Sequence, residues 1–146
     1  MSIAIHSEQI DFELAGANEW TSFLTQMLGG ENAEIGDIQF IFCSDHYLLK
    51  INLAYLDHDT LTDIITFPYS YHPVSCDIFI SVERVRENAA SFGQSFENEL
   101  LRVMSHGLLH MLGYGDKSDQ EKRIMRGRED YWLSEAEKRG LIHLSS

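Results

Sequence analysis

The chain has 146 residues, of which 44% are hydrophobic and 23% charged, two cysteines and a formal net charge of −12. That length predicts one domain over residues 1–146 with a core that needs no disulfide or metal merely to hold together, and the composition excludes a disordered chain and a disulfide scaffold. The sequence opens with no basic segment before a long apolar run, and no stretch reaches the roughly 18 apolar residues of a membrane span, so a cytoplasmic protein in a reducing compartment, without membrane contact, is expected.

Residues 3–5 and 10–14 alternate apolar with polar side chains and read as two short strands. Residues 18–28 place Trp20, Phe23, Leu24, Met27 and Leu28 at helical spacing, and Gly29-Gly30 stops that helix. Residues 35–43, with Ile38, Phe40, Ile41 and Phe42, read as a strand; Ser44 or Asp45 caps a helix running to about Leu56. A second strong strand covers 62–67 and is ended by Pro68; a third covers 76–82. A helix follows over 83–92. Ser95 opens a longer helix, with Ser95 and Asn98 as caps, and Ser118 begins a last amphipathic helix that ends near Gly140. A strand-rich front and a helix-rich back predict an α+β fold: a small twisted mixed β-sheet of about four strands covered by helices. Cys43 and Cys76 fall on strands and read as buried thiols.

The charge is uneven. Residues 1–83 hold thirteen acidic residues against one basic residue, Lys50, whereas residues 84–146 hold ten of each. Between 117 and 128, Lys117, Lys122, Arg123, Arg126 and Arg128 face only Asp119 and Glu121. The plain reading of that segment is a solvated helix face laced with i,i+4 pairs; the sharper one is a cationic patch beside a site. Taken globally, −12 counts against a nucleic-acid partner, but the partition removes most of that argument.

One run carries chemistry: Ser105-His106-Gly107-Leu108-Leu109-His110-Met111-Leu112-Gly113-Tyr114-Gly115-Asp116. Histidines four apart on a helix project from one face, about 40° apart in rotation, and can reach one metal ion. Leu100, Val103, Met104, Leu108 and Met111 form the adjoining apolar stripe, so the histidines border a cleft. Glu99 falls on the same face two turns earlier, as a potential partner of a ligand. Gly113 can end the helix in a left-handed cap, and the returning chain brings Asp116 as a third ligand. Two partly buried core histidines would explain H-x-x-x-H alone. Gly113 and Asp116 at metzincin-like offsets favour a metal site with one position open. The residue after the first histidine, where zinc peptidases carry a general base, is Gly107, which moves no proton. Of the other histidines, His6, His46, His58 and His143 have no partner at ligand spacing, and His72 sits in a turn beside Pro73.

These residues resemble the YbeY endoribonucleases, a family of ribosomal RNA maturation factors. The run over 106–116 is similar to the family's H-G-x-L-H-x-x-G-Y-x-H. Asn52-Leu53-Ala54-Tyr55-Leu56 resembles N-x-x-[YF]-R, Leu61-Thr62-Asp63-Ile64-Ile65-Thr66-Phe67-Pro68 resembles P-T-D-V-L-S-F-P, and Cys76-Asp77-Ile78-Phe79-Ile80-Ser81 resembles G-D-I-x-I-S. The likeness runs in order from about residue 35 to 135. It implies a zinc-dependent endoribonuclease that cuts single-stranded RNA, matures ribosomal RNA at the small-subunit 3′ end and serves ribosome quality control. It implies one Zn²⁺ per chain on His106, His110 and Asp116, where Asp116 replaces the family's third histidine. An added negative charge weakens the metal as a Lewis acid and suits harder ions. Leu56 stands where the family has arginine, and Leu61 where it has proline. Lys117, Arg123 and Arg126 are then expected to supply the charge that Leu56 does not. Asp63 and Asp77 are candidates for orienting water or ligands, although each also reads as a turn or backbone-capping carboxylate. Two other classes stand beside this one. A zinc peptidase is opposed by Gly107. A non-catalytic assembly factor, binding ribosomal proteins or an assembly GTPase, is suited by the acidic first half.

Overall fold

The computed structural model describes residues 1–56 and 62–144, without the side chain of Leu56. The readings of Leu56, His58 and Leu61 therefore lie outside the described side chains. In chain order the elements are β1 (Ser2–Ser7), α1 (Ala17–Gly30), β2 (Ile35–Cys43), α2 (Asp45–Leu56), β3 (Ile64–Tyr71), β4 (Val74–Ser81), α3 (Val82–Ser91), α4 (Phe96–Met111) and α5 (Asp119–Lys138). The expected α+β class and the four-stranded mixed sheet are both present.

The strand order is β1-β2-β4-β3, with β1, β2 and β4 parallel and β3 antiparallel to β4. Alternation sorts the side chains by face. One row across the sheet reads Ile5, Phe40, Ile78 and Thr66, and the next reads Ser7, Phe42, Ile80 and Ile64 two residues on. Phe40, Phe42, Ile78 and Ile80 of this inner face are wholly buried, in one core with residues of α1, α4 and α5. The opposite face carries Ile65, Phe67 and Phe79, and α2 covers part of it with Tyr47, Leu48 and Ile51.

Two expectations need correction. Residues 10–14 form no strand. Gln9 takes φ 53, in the left-handed region, and turns the chain away after β1. The alternation there records burial without pairing: Leu14 joins the core and the Phe12 ring meets those of Phe42 and Phe96. Pro68 also fails to end its strand, since β3 continues to Tyr71 across a register shift between Pro68 and Ser70. Because β3 is an edge strand, the missing N–H of Pro68 interrupts little.

Cys43 and Cys76 are free and buried, and burial pushes both thiols up to about 12. They are inert packing residues. Among the described residues no helix is long and apolar enough to cross a membrane.

Candidate metal centre

The centre is built on α4. Ser95 caps the helix by accepting from the Asn98 N–H at 3.1 Å. The buried set is wider than the expected stripe. Leu101, Ser105, Gly107 and Leu109 are buried as well, because α4 touches α3, α5, β3 and β4. His106 and His110 remain partly open, with 26% and 34% of their side chains exposed. Gly107 has a second role here. A Cβ at that position would lie 2.9 Å from Ile64 Cδ1, so the bare backbone lets α4 settle onto the sheet.

The end of α4 delivers the third group. Gly113 takes φ 100, the Gly113 N–H donates to the His110 carbonyl at 3.0 Å, and the Tyr114 N–H donates to the Leu109 carbonyl at 3.1 Å. These bonds satisfy the last carbonyls and turn the chain back. A capping box then starts α5: the Glu121 N–H donates to Ser118 Oγ at 3.0 Å, and Glu121 Oε1 accepts from the Ser118 and Lys117 N–H groups. Asp116 is held between two capped helix ends. Glu31, at the end of α1, braces the same turn by accepting from Tyr114 Oη at 2.9 Å, Trp132 Nε1 at 2.7 Å and Arg128.

His106, His110 and Asp116 each bring a ligand atom within 4.8 Å of the others. Asp116 Oδ2 lies 3.4 Å from His106 Nε2 and 3.1 Å from His110 Nε2. Glu129 Oε2 lies 2.7 Å from His106 Nδ1, and a carboxylate only accepts, so Nδ1 carries the hydrogen. The Nε2 lone pair of a neutral His106 then faces the Asp116 oxygen with no proton between them. A cation relieves that conflict. Ligand bonds of about 2.0–2.1 Å in a tetrahedron place ligand atoms about 3.3 Å apart, which matches both spacings from Asp116. The donor set therefore fits a small divalent metal ion.

Glu129 is 5% exposed and is itself held by Arg102, at 2.9 Å, while Arg102 also reaches Asp130 at 2.7 Å. Burial alone would depress the His106 imidazolium. The Glu129 hydrogen bond and the charges of Glu129, Asp116 and Asp63 outweigh it and raise its pKa. The surroundings of His106 favour positive charge.

Two adjoining cavities, of about 420 and about 410 Å³, meet at Asp63, Ile64, His106 and Asp116. The first extends past Glu99, Arg102 and Glu129 to Lys122 and Arg126 on α5. The second extends along β3 past Thr62 and Thr66 to His110. Asp63 and Glu99 are both raised, chiefly by burial.

The sequence-derived residues are thus divided. His106, His110, Asp116, Asp63 and Arg126 line this cleft, and Glu99 lines it without an assigned bond to either histidine. Lys117 and Arg123 are exposed near the start of α5, outside the residues lining either cavity. Asp77 lines a separate cavity, where Tyr69 Oη donates to its Oδ2 at 2.7 Å. Sequence reasoning missed Glu129 and Arg102, and it named Lys122 in the cationic segment without assigning it to the site. A signal for Glu129 existed: Met125, Glu129, Trp132, Leu133 and Ala136 form the buried stripe of α5, so a carboxylate interrupts an apolar face. Nothing comparable marked Arg102.

Comparison with known proteins agrees with this architecture. Residues 2–137 match the family described as endoribonuclease YbeY. A relative from Flavobacterium psychrophilum with that description is 50% identical over 123 residues, covering 84% of this chain and 88% of its own. One from Bacteroides thetaiotaomicron is 37% identical over 135 residues, covering 92% and 98%. A solution structure of a Thermotoga maritima protein superposes with a TM-score of 0.70 at 27% identity, covering 94% of this chain and 92% of its own.

Proposed function

Because the chain belongs to the YbeY endoribonuclease family, we propose that residues 1–146 work as one metal-dependent hydrolase domain that cuts single-stranded RNA. Its place is the cytoplasm, in maturation of ribosomal RNA, chiefly the 3′ end of the small-subunit RNA, and in ribosome quality control. The observation that carries this reading is the convergence of His106, His110 and Asp116 beside a cleft rimmed by Lys122 and Arg126.

One Zn²⁺ per chain on those three residues would polarise a phosphodiester as a Lewis acid and activate water for attack. Glu129, fixed by Arg102, orients the His106 ring and selects its tautomer. Lys122 and Arg126 attract the phosphate backbone, and Lys117 and Arg123 extend the cationic segment along the start of α5. Asp63 and Glu99, whose carboxyls burial raises, both line the cleft and are the candidates to donate a proton to a departing oxygen. Ile64, Val103 and Met125 supply apolar walls that limit water. Gly107 weighs against a peptidase, since it offers no general base. The acidic first 83 residues suit basic ribosomal proteins, or an assembly GTPase, as recruiting partners.

The test compares bound zinc and cleavage of single-stranded RNA for the parent protein, His106→Ala and Asp116→Ala. Both variants are expected to lose zinc and cleavage together. If neither lowers bound zinc, the metal site is misassigned. RNA left intact by zinc-loaded parent protein that still binds ribosomes would instead favour the assembly-factor reading, and peptide cleavage without RNA cleavage a peptidase.

A further inference from the structure

The outer face of the sheet holds a third cavity, of about 510 Å³, that the proposed chemistry does not use. Its walls are largely aromatic. The Tyr55 and Phe67 rings meet at 82° with centroids 5.9 Å apart, and Phe67 and Phe79 meet at 88° and 5.7 Å. Adjoining walls at right angles form a corner in which a planar ring lies flat on one and meets the other edge-on, both favourable arrangements. Tyr55 is 72% exposed and Tyr69 68%, more than packing requires of either.

Polar groups are few and placed. Asp77 is pinned by Tyr69 through Oδ2, which leaves Oδ1 to accept from a ligand N–H. Lys50, the sole basic residue of the first 83, lines the same cavity and has no ion pair among the described residues. A cation without an ion pair among the described residues, in the most acidic part of the chain, is the feature that a phosphate-bearing ligand explains. The cavity also lies one strand from the metal centre. Thr66 of the edge strand β3 lines the His106 cleft, and its neighbour Phe67 lines the aromatic cavity on the other face.

We propose that this cavity holds an unpaired nucleobase of a single-stranded nucleic acid that bends around the β3 edge from the metal cleft. The base stacks in the corner of Tyr55 and Phe67, Asp77 accepts from its N–H edge, and Lys50 meets the adjoining phosphate. The inference rests on the RNA reading above for the identity of the strand and adds to it an anchoring subsite.

The probe is a single-stranded 2′-O-methyl hexanucleotide, which resists cleavage, carrying one 2-aminopurine whose fluorescence falls on stacking. It is titrated into the full-length protein with and without zinc. Quenching is expected in both conditions. Tyr55→Ala, at an exposed position, is expected to abolish quenching and weaken binding about tenfold. Lys50→Ala is expected to weaken binding and flatten its salt dependence while quenching persists at saturation. Equal quenching and affinity for Tyr55→Ala and the parent would overturn the proposal. So would a protein ligand captured through Tyr55 with no oligonucleotide bound. Cleavage of ordinary RNA, assayed separately, tells the two readings apart: RNA cut normally without quenching sinks only the anchor, whereas quenching without cleavage sinks only the nuclease.

Discussion

At the scale of single residues, the buried carboxylates decide most. Glu129 touches no metal ligand atom that faces the cleft, yet it sets which nitrogen of His106 carries the hydrogen. Glu129→Gln, which keeps the shape but removes the charge, is expected to lower zinc affinity by about 10- to 100-fold. Competition with a chromogenic chelator measures this, and an unchanged affinity would show that Glu129 is only a packing residue. Glu31 is the structural counterpart. Burial alone would raise its carboxyl, but hydrogen bonds from Arg128, Trp132 and Tyr114, with the Arg128 charge, hold it below its ordinary value of 4.5. A depressed carboxyl contributes stability above that ordinary value and loses it as pH falls through the folded one. Glu31→Gln should therefore cost about 2–4 kcal/mol at neutral pH. The gap between parent and variant, followed by urea melts, should be widest above pH 4.5 and close in more acid solution. A gap that grows with acid would contradict this account.

At the scale of elements, α4 and its two neighbours carry the site. The close approach of α4 to β3 and β4 depends on Gly107. Gly107→Ala is expected to lower stability by no more than about 2 kcal/mol, since the added methyl meets the side-chain tips of Ile64 and Ile78 while alanine gains about 1 kcal/mol over glycine within a helix. Restoring the peptidase-like His-Glu pattern with Gly107→Glu should cost more and yield no peptidase, as thermal melts and a peptide-cleavage assay would reveal. The start of α5 matters for another reason. Ser118→Ala removes half of its capping box, at about 1 kcal/mol. Because that cap closes the turn holding Asp116, zinc affinity should fall alongside stability. A stability loss with zinc binding intact would separate the cap from the site.

At the scale of the whole molecule, charge and topology act together. The net charge of −12 opposes nonspecific capture of RNA, while Lys122 and Arg126 give the cleft a small cationic rim. The two cleft contacts on a single strand predict a slope near −1.4 for log K against log salt, and a third at Lys50 takes it to about −2.1. A much steeper slope, with tight binding of random RNA, would mean that a basic surface elsewhere dominates. The sheet order places β3 at the edge, so one strand borders both the metal cleft and the aromatic cavity.

How much of this was legible beforehand follows from how local each feature is. Histidines four apart on a helix, a glycine that ends it and an aspartate in the return turn lie within one short run, where helical periodicity and cap geometry leave few arrangements. The convergence of those residues was readable from the sequence, as were most elements with strong alternation or helical spacing. Residues 10–14 misled because alternation reports burial, and burial arises without strand pairing. Glu129 meets His106 across 23 intervening steps of chain, and only the packing of α5 on α4 brings them together. Asp63 and Asp77 looked equivalent as strand-associated aspartates. The register and order of the sheet put one beside His106 and the other in the aromatic cavity, because successive side chains of a strand take opposite faces and a face acquires meaning only when helices cover it.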